Sequence, residues 1–343
     1  MHCHLVIPAL LPTAEHALEL LSDIDLPALT QILSRGPATR TTAAGYDAWW
    51  CRQFGVAKQG DWPLAPLRLA ADGGEPGDAC WLCADPVHLQ VNRDQLVLAD
   101  SGPLGLDIEE AAALVAALNL HFNADGMVFQ AHHPDRWYLR LPAAVDLSCT
   151  PLFDAAGRSI DTLLPTGADA SRFRSMMNEM QMLLFGHAVN EKRENDGRPP
   201  VNSLWLWGGG VMPAVERPAI AKLWADESVA RGFANVAHIP MDDTPADAAE
   251  WIKRSSDAGN HMIVLSRLAD AAHRGDSDAW RQALAALERD WLAPLLMLLR
   301  SGRISEIVVT GLGDFGVLSV SLGRGEARRF WRKSRSLSHF VVA

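Results

Sequence analysis

Cysteine is scarce and long apolar runs are missing from this sequence of 343 residues. The five cysteines, an odd number, are scattered at Cys3, Cys51, Cys80, Cys83 and Cys149, which excludes a disulfide framework in a chain of this length. No apolar run approaches the roughly 20 residues that a membrane-spanning helix needs, and the N-terminus lacks the basic segment of a secretory signal. We therefore expect a cytoplasmic protein with reduced thiols and no membrane partner.

Basic side chains are outnumbered by acidic ones. The sequence has 31 Lys and Arg against 41 Asp and Glu, which gives a net charge of −10. An acidic chain argues against general nucleic-acid binding, because nucleic acid attracts proteins first through its phosphates. The short basic segment 324–335 contains Phe330 and Trp331. We interpret it as a contact for the protein's own acidic surface or for a partner protein rather than for nucleic acid.

Cys80 and Cys83 have the C-x-x-C spacing of zinc and redox sites. A structural zinc site needs two more ligands, and no second pair follows. His2, Cys3 and His4 would reach this pair only through a long-range contact. The sequence therefore favours buried thiols over a metal site here.

Short apolar runs alternate with helical patterns in the C-terminal half. Strands are predicted at residues 203–207, 236–239, 261–265 and 304–310, and residues 1–11 predict another buried strand. Apolar residues recur at steps of three or four through 276–300, which predicts a helix that is kinked at Pro294 and ends before Gly302. This alternation predicts an α/β fold with a mainly parallel sheet flanked by helices.

The middle of the chain has a different pattern. Asp107 and Glu110 resemble a capping box before a helix at 111–122, and residues 136–141 read as a strand. A second helix, 171–185, carries an apolar methionine stripe that we assign to core packing. We expect a smaller α+β domain, residues 79–200, inserted into a core formed by residues 1–78 and 201–343.

Two groups of polar residues in this middle section are candidates for ligand contact. Arg136 and Arg140 lie four residues apart on one side of the predicted strand, which suits a carboxylate or a phosphate. A solvated edge strand explains them equally well. His187, Asn190 and Arg193 follow the second helix, where ligand contact and a capping or hinge role both remain open.

Polar residues also follow two predicted strands nearer the C-terminus. Asp270 and His273 come after the strand at 261–265, and Asp314 comes after the strand at 304–310. Carboxylate and imidazole are usual ligands of divalent cations, so these residues are candidate metal ligands. Helix capping and loop solvation explain the same residues more simply.

Four segments of the chain together resemble a known family. They are CADPVHL at 83–89, RWYLRL at 136–141, NEMQMLLFGHAVNEKRENDG at 178–197 and VNSLWLWGGG at 201–210. The combination resembles the proteobacterial regulatory proteins of the RpfE type, over nearly the whole chain. It is more distantly similar to the archaeal-type, cofactor-independent phosphoglycerate mutases of the alkaline phosphatase superfamily. The resemblance implies a phosphatase-type core split by an inserted domain.

The resemblance to the mutases extends to single residues. Their H-P-V-N-x-x-R segment and the Asn-led W-G-x-G strand after it are matched by His187, Asn190, Arg193, Asn202, Trp207 and Gly208. The matches imply that this part of the inserted domain is similar in both.

The sequence departs from that superfamily where its two divalent metals and its nucleophile would stand. The first strand runs through Ile7 without an Asp-Gly after it, and Asp314 is followed by Phe315 instead of His. The nucleophile region, approximately residues 34–46, offers Thr39, Thr41 and Thr42 but contains no G-S-D. Because each metal needs several ligands and the phosphoryl group needs an acceptor, the resemblance implies a degenerate site.

These observations predict a phosphoglycerate mutase-like protein with a degenerate metal site that binds a small phosphorylated or carboxylated metabolite in a regulatory or non-catalytic role. The residues expected to contact this anion are Arg136, Arg140, His187, Asn190, Arg193 and Asn202. One alternative is an active metal-dependent phosphomutase or phosphatase, with Mn²⁺ or Zn²⁺ on Asp270, His273 and Asp314 and a threonine as nucleophile. Another alternative is a protein–protein interaction module.

Overall fold

The structure is a computed structural model that describes residues 1–12, 20–21, 23–42, 45–92, 95–99, 104–255, 259–313, 316–329, 331–333 and 335–342. The strands in chain order are β1 His2–Leu11, β2 Ala38–Thr41, β3 Cys80–Val87, β4 Leu89–Asn92, β5 Gln95–Leu98, β6 Val128–His133, β7 Arg136–Leu141, β8 Ser203–Gly210, β9 Lys222–Trp224, β10 Met241–Asp242, β11 Asn260–Val264, β12 Glu306–Gly313 and β13 Gly316–Gly323.

The helices, also in chain order, are α1 Pro27–Arg35, α2 Gly45–Gln53, α3 Leu64–Ala71, α4 Ile108–Phe122, α5 Leu152–Ala155, α6 Ala170–Phe185, α7 Ala188–Asn195, α8 Ser228–Val236, α9 Ala248–Arg254, α10 Arg267–His273, α11 Ser277–Leu287, α12 Ala293–Ser301, α13 Arg324–Ala327 and α14 Leu337–Val342. A π-helical turn, Glu288–Leu292, joins α11 to α12. Within the described ranges, no helix combines the length and the apolar character needed to cross a membrane.

The chain divides into two compact units. Unit 1 comprises Met1–Trp49 and Arg217–Ala343, and unit 2 comprises Trp50–Glu216. The boundaries expected from the sequence, at 79 and 200, both lie inside unit 2. The boundary near 200 differs because β8 pairs with β3 in one sheet, so residues 203–210 belong with the middle of the chain. The boundary near 79 differs because α3, Leu64–Ala71, packs against both of these strands.

Unit 1 contains a seven-stranded sheet in the order β10-β9-β11-β1-β12-β13-β2. The first five strands are parallel neighbours, and β13 and β2 continue the sheet in antiparallel pairings. Strand β1 lies in the middle, with Leu5 paired to Ile263 on one side and to Val309 on the other. The mainly parallel α/β sheet predicted from the sequence is confirmed, and the start of the chain does join it.

The two faces of this sheet differ in chemistry. Cys3, Leu5 and Ile7 of β1 face a core that also takes in α1, α11, the π-helical turn and α12. Because side chains alternate along a strand, His2 and His4 face the other side. There His4 Nε2 lies 2.8 Å from Thr310 Oγ1. The sheet therefore has an apolar core face and a mixed second face, on which His4 and Thr310 lie beside the buried Val6.

The predicted helix at 276–300 is present as a continuous helical segment, in which the π-helical turn separates α11 from α12. Asp276 caps α11 by accepting a hydrogen bond from the Ala279 backbone N–H at 2.8 Å, and Gly302 ends α12 with a φ of 85°. Pro294 lies in the first turn of α12, directly after the π-helical turn. Proline has no backbone N–H to donate to a helical hydrogen bond. The sequence predicted a kink at this proline, and the structure has the π-helical turn just before it.

Unit 2 contains a four-stranded antiparallel sheet in the order β6-β7-β3-β8 and a hairpin of β4 and β5. The capping box is present: Asp107 accepts from the Glu110 N–H, and the Glu110 carboxylate accepts from the Asp107 N–H. The stripe on α6 is buried, as predicted, through Met176, Met177 and Met180.

Two strand predictions were wrong in part. Residues 236–239 form no strand; they close α8 and turn at His238, which has a φ of 52°. The strand at 203–207 exists, but it pairs antiparallel with β3 in unit 2 instead of joining the parallel sheet. Its three glycines extend the strand, and Gly208, with a φ of 68°, lies with Gly209 opposite Leu82 in a β-bulge between the pairs Trp81–Gly210 and Cys83–Trp207.

Candidate functional site

The carboxyl ends of the parallel strands in unit 1 border a cavity of about 320 Å³. Ile7 of β1, Val264 at the end of β11 and the segment 244–246 after β10 line it, together with α10, α11 and the π-helical turn. Ligands of open α/β sheets bind outside the carboxyl ends of the strands. The cavity therefore lies where the fold places a small-molecule site.

The walls of this cavity are mainly apolar, and its polar groups come from separate segments. Val264, Leu268, Leu287 and Trp291 are among its buried lining residues. The polar lining residues are Asp226, Thr244, Glu250, Ser266, Arg267 and Asp290. Sequence reasoning identified none of these six, because they share no motif and meet only through the fold.

A two-metal phosphatase site needs carboxylates and imidazoles that converge at the strand ends, and the described carboxylates there, such as Asp226, do not converge in that way. Strand β1 leaves its regular parallel register after Ile7 and continues with Pro8 and Ala9, and β11 is followed by Leu265. Within the described ranges, no group of three or more His, Cys, Asp or Glu could hold a metal ion. This donor set does not fit the two cations that the fold family implies.

The three metal ligands proposed from the sequence are only partly described. Asp270 and His273 both lie on α10, where Asp270 is exposed and His273 is half-buried. Asp314 lies outside the described residues. A metal role for these three residues stays a prediction.

The candidate nucleophiles are on or beside an edge strand. Thr39 and Thr41 belong to β2, whose four residues are all exposed, and Thr42 follows it. Thr39 Oγ1 donates to the backbone carbonyl of Ser319 at 3.4 Å. This places the threonine hydroxyls on the antiparallel edge of the sheet.

The two arginines of β7 have different surroundings. Arg136 forms a two-point ion pair with Asp72, with nitrogen–oxygen distances of 2.9 and 2.8 Å, whereas Arg140 is exposed. Burial alone would raise the pKa of Asp72, but hydrogen bonds from Arg136 and Tyr138 outweigh it and lower that pKa. The Arg136 guanidinium thus already holds a carboxylate within the protein.

The remaining four candidates hold the α6–α7 region and its connections in place. His187 caps α7 by accepting from the Val189 N–H. Asn190 Nδ2 donates to two backbone carbonyls while its Oδ1 accepts from the Val201 N–H at 2.8 Å. Asn202 pairs in the same reciprocal way with the backbone of Leu89. The side chains that the sequence analysis assigned to ligand contact therefore form hydrogen bonds within the protein.

Arg193 is the most enclosed of the six. Its side chain is 0% exposed and forms an ion pair with Glu110 at 2.7 Å. It also donates to the backbone carbonyls of Pro199 and Leu104. The structure thus brings His187, Asn190 and Arg193 together around α7, but as parts of its internal framework.

A buried polar network in unit 2 was missed by sequence reasoning. Asp85 Oδ2 accepts hydrogen bonds from Arg68 Nη1 at 2.9 Å and from Trp207 Nε1 at 2.8 Å. Burial raises the pKa of Asp85, although the Arg68 charge opposes this. The signal was available in the family-like segments themselves, because CADPVHL contains Asp85 and the tryptophan-rich strand contains Trp207.

The cysteines of the C-x-x-C pair are buried in β3, as predicted. Arg68 Nη1 lies 3.0 Å from Cys83 Sγ, which ties this thiol to the buried network. In the basic segment at the C-terminus, Trp331 is 68% exposed. A protein partner for that segment stays a prediction.

Comparisons with known proteins find similarity to phosphoglycerate mutases over part of the chain. No protein-family model matches it. It is 30% identical over 157 residues to the 2,3-bisphosphoglycerate-independent phosphoglycerate mutase of Methanosarcina mazei, which covers 43% of this chain and 37% of that enzyme. It is 31% identical over 154 residues to a probable enzyme of the same name from Geobacter sulfurreducens, with 43% and 38% covered. The chain thus matches little more than a third of the length of these relatives.

Two solved structures share the fold over most of the chain. The cofactor-independent phosphoglycerate mutase of Thermoplasma acidophilum superposes with a TM-score of 0.51 at 18% identity and covers 98% of this chain and 93% of its own. A protein from Pyrococcus horikoshii superposes with a TM-score of 0.59 at 13% identity, with 94% and 87% covered. The phosphatase-type α/β fold expected from the resemblance is confirmed.

Proposed function

We propose that this chain is a phosphoglycerate mutase-like protein that binds a small metabolite without catalysing phosphoryl transfer, and that its role is regulatory. One observation carries the proposal: the carboxyl edge of the parallel sheet keeps a cavity of about 320 Å³, while the strand ends beside it carry apolar residues such as Ile7 and Val264. A cavity of this size is at the lower end of the range for small-molecule sites.

The chemistry of phosphoryl transfer supports the non-catalytic part of the proposal. The reaction on this fold requires two cations, each held by several ligands, and a nucleophile placed beside them. At the described strand ends the side chains of Ile7 and Leu265 have no donor atom for a cation. The hydroxyls of Thr39 and Thr41 lie on β2, at the opposite end of the strand order from β9 and β10.

The comparisons support the part of the proposal that this chain has a phosphoglycerate mutase-like fold. The relatives are named as mutases, and their similarity to this chain extends over 43% of it. The polar residues that match the mutase pattern, Asn190 and Arg193 among them, maintain the fold of unit 2. These contacts maintain the fold, while the strand ends carry apolar residues. Such a fold is suited to binding a small metabolite without catalysis. The resemblance to RpfE-type regulatory proteins is the source of the regulatory part, which stays a prediction.

The ligand of this proposal is separate from the anion expected from the sequence. That expectation depended on six residues, of which Arg136 and Arg193 already hold Asp72 and Glu110. An anionic metabolite at exposed Arg140 stays a prediction. The cavity of unit 1 takes its place as the proposed binding site.

A coupled assay for the conversion of 3-phosphoglycerate to 2-phosphoglycerate tests the proposal. The purified chain is measured with and without Mn²⁺, and the Methanosarcina mazei enzyme serves as the positive control. We expect no turnover above the blank from a sample whose circular dichroism shows a cooperative melt. Turnover above the blank would contradict the proposal, and its loss in Asp314→Ala would identify an active metal site.

A further inference from the structure

Unit 2 exposes large apolar side chains on two neighbouring helices. Leu120 of α4 is 85% exposed, and Met182 and Phe185 of α6 are 77% and 82% exposed. The two helices pack against each other, and His121 Nε2 of α4 lies 3.3 Å from Glu179 Oε2 of α6. Soluble monomers rarely expose large apolar side chains in groups, so such a group indicates an interaction surface.

We infer that this surface is an interface between two copies of the chain, in which α4 of one copy crosses α4 of the other about a twofold axis. The surface belongs to unit 2, so the inference goes beyond the function proposed for the cavity of unit 1. The surface, named the α4–α6 face, consists of the exposed apolar residues Ile108, Ala112, Ala116, Leu120, Met182 and Phe185.

Four of these residues form a ridge along α4. They follow one another at steps of four residues: Ile108, Ala112, Ala116 and Leu120. Residues at this spacing lie one above another on the surface of a helix. The opposite side of α4 is buried in unit 2. The ridge therefore lies on the side of the helix that is free to contact another molecule.

The order of sizes along the ridge favours a second copy as the occupant. A large residue stands at each end and two alanines lie between them, so the order is the same in both directions. In an antiparallel pair of α4 helices, Ile108 of one copy lies level with Leu120 of the other, and Ala112 lies level with Ala116. A twofold interface requires this kind of match, because the same surface contacts itself.

The geometry of helix packing uses the same order of sizes. Two helices that pack through ridges of i±4 spacing cross at about 50°. At the crossing point the helices are closest, and small side chains such as Ala112 and Ala116 allow that approach. Farther out the helices diverge, and Ile108 and Leu120 fill the wider space. Antiparallel helices also bring opposite ends of their dipoles together.

The area of the face is sufficient for a stable pair. Phe185 and two other large side chains are each more than three-quarters exposed and Ile108 is 45% exposed, which gives apolar surface on the order of 500 Å² per copy. Two such faces in contact bury on the order of 1,000 Å², which is about what a specific interface needs. Exposed polar residues such as Glu109 and Glu179 at the ends of the face add a polar rim.

Sedimentation velocity of the full chain over a range of concentrations tests the inference. We expect a reversible equilibrium between the monomer and a species of twice its mass, with half of the chains paired at about 10 µM or below. A monomer at every concentration up to about 100 µM would overturn the inference. A monomer that pairs only with a different protein would overturn it as well.

Two charged variants locate the interface. Leu120→Glu and Phe185→Glu each place a carboxylate at an exposed position, so each should fold normally. Each should weaken pairing at least tenfold, because the interface would bury an unpaired charge. Val91→Glu is the matched control at a position of β4 that is 77% exposed, and it should leave pairing unchanged. Unchanged pairing in both helix variants, or an equal effect of the control, would overturn the inference.

A third variant tests the close approach of the two α4 helices. Ala116→Phe increases the apolar surface of the face and places a large side chain at the crossing point. We expect it to weaken pairing at least tenfold, because the helices can no longer approach. Non-specific association of apolar surfaces would become stronger in this variant, and that result would overturn the inference. Circular dichroism melts confirm that every variant is folded.

Discussion

The guanidinium carbon of Arg68 lies 4.8 Å from the centre of the Trp207 ring, and both side chains donate to the same oxygen of Asp85. The Arg68 and Asp85 side chains are 5% and 1% exposed. Asp85 lies on strand β3, Trp207 lies on strand β8 and Arg68 lies on helix α3. The network therefore joins three elements of unit 2 through one buried carboxylate.

We predict that Asp85→Asn lowers the free energy of unfolding by about 3 kcal/mol, because it leaves the buried Arg68 charge without its counter-ion. Urea denaturation followed by circular dichroism measures the change. Asp125→Asn, at an exposed position after α4, is the control and should change stability by less than about 0.5 kcal/mol. Equal stability of the two variants would show that the network is not important for folding.

A second comparison separates a structural role from ligand contact for the arginines proposed from the sequence. Arg193 is fully enclosed and paired with Glu110, whereas Arg140 is exposed on β7. We predict that Arg193→Ala lowers the free energy of unfolding by about 3 kcal/mol and that Arg140→Ala changes it by less than about 0.5 kcal/mol. Chemical denaturation of both variants tests this. A stable Arg193→Ala protein would contradict the structural role.

Stability should depend on the protonation of His4. Burial lowers the pKa of His4 to about 4, although the charge of Glu306 opposes this. Because the folded-state pKa is below the usual 6.5, the unfolded chain binds the proton first as pH falls. This contribution to stability is present above pH 6.5 and is lost between pH 6.5 and about 4, by at most about 1.4 kcal/mol per pH unit.

Urea denaturation at several pH values tests this dependence in the wild type and in His4→Gln. The glutamine variant keeps a polar group near Thr310 and lacks a titrating ring. We expect its stability to fall less steeply than that of the wild type across this pH window. Parallel curves would assign the pH dependence to other groups.

Much of the fold could be predicted from local patterns. The apolar start of the chain forms the central strand β1, Asp107 and Glu110 form a capping box, and Met180 is buried on α6. Each of these features is decided by residues close together in the sequence. Such features depend on periodicity and on capping chemistry, which a single sequence displays.

The errors have a different physical origin. The strand at 203–207 was placed in the wrong sheet, because an apolar run indicates that a strand is buried but not which strand it pairs with. Arg193 suggested ligand contact, while its partner Glu110 is 83 residues away. The cavity carboxylates Asp226, Glu250 and Asp290 come from three segments without a common motif. Long-range pairing decides all of these, and local patterns do not encode it.

Titration of Mn²⁺ and of Zn²⁺ into the purified chain by isothermal calorimetry tests the central claim most directly. The claim is that the strand ends of unit 1 no longer hold the two metals of phosphoryl transfer, because apolar residues such as Ile7 occupy them. The account predicts no saturable binding of either ion at micromolar concentrations. Saturable binding of two ions per chain that is lost in Asp270→Ala or Asp314→Ala would contradict it.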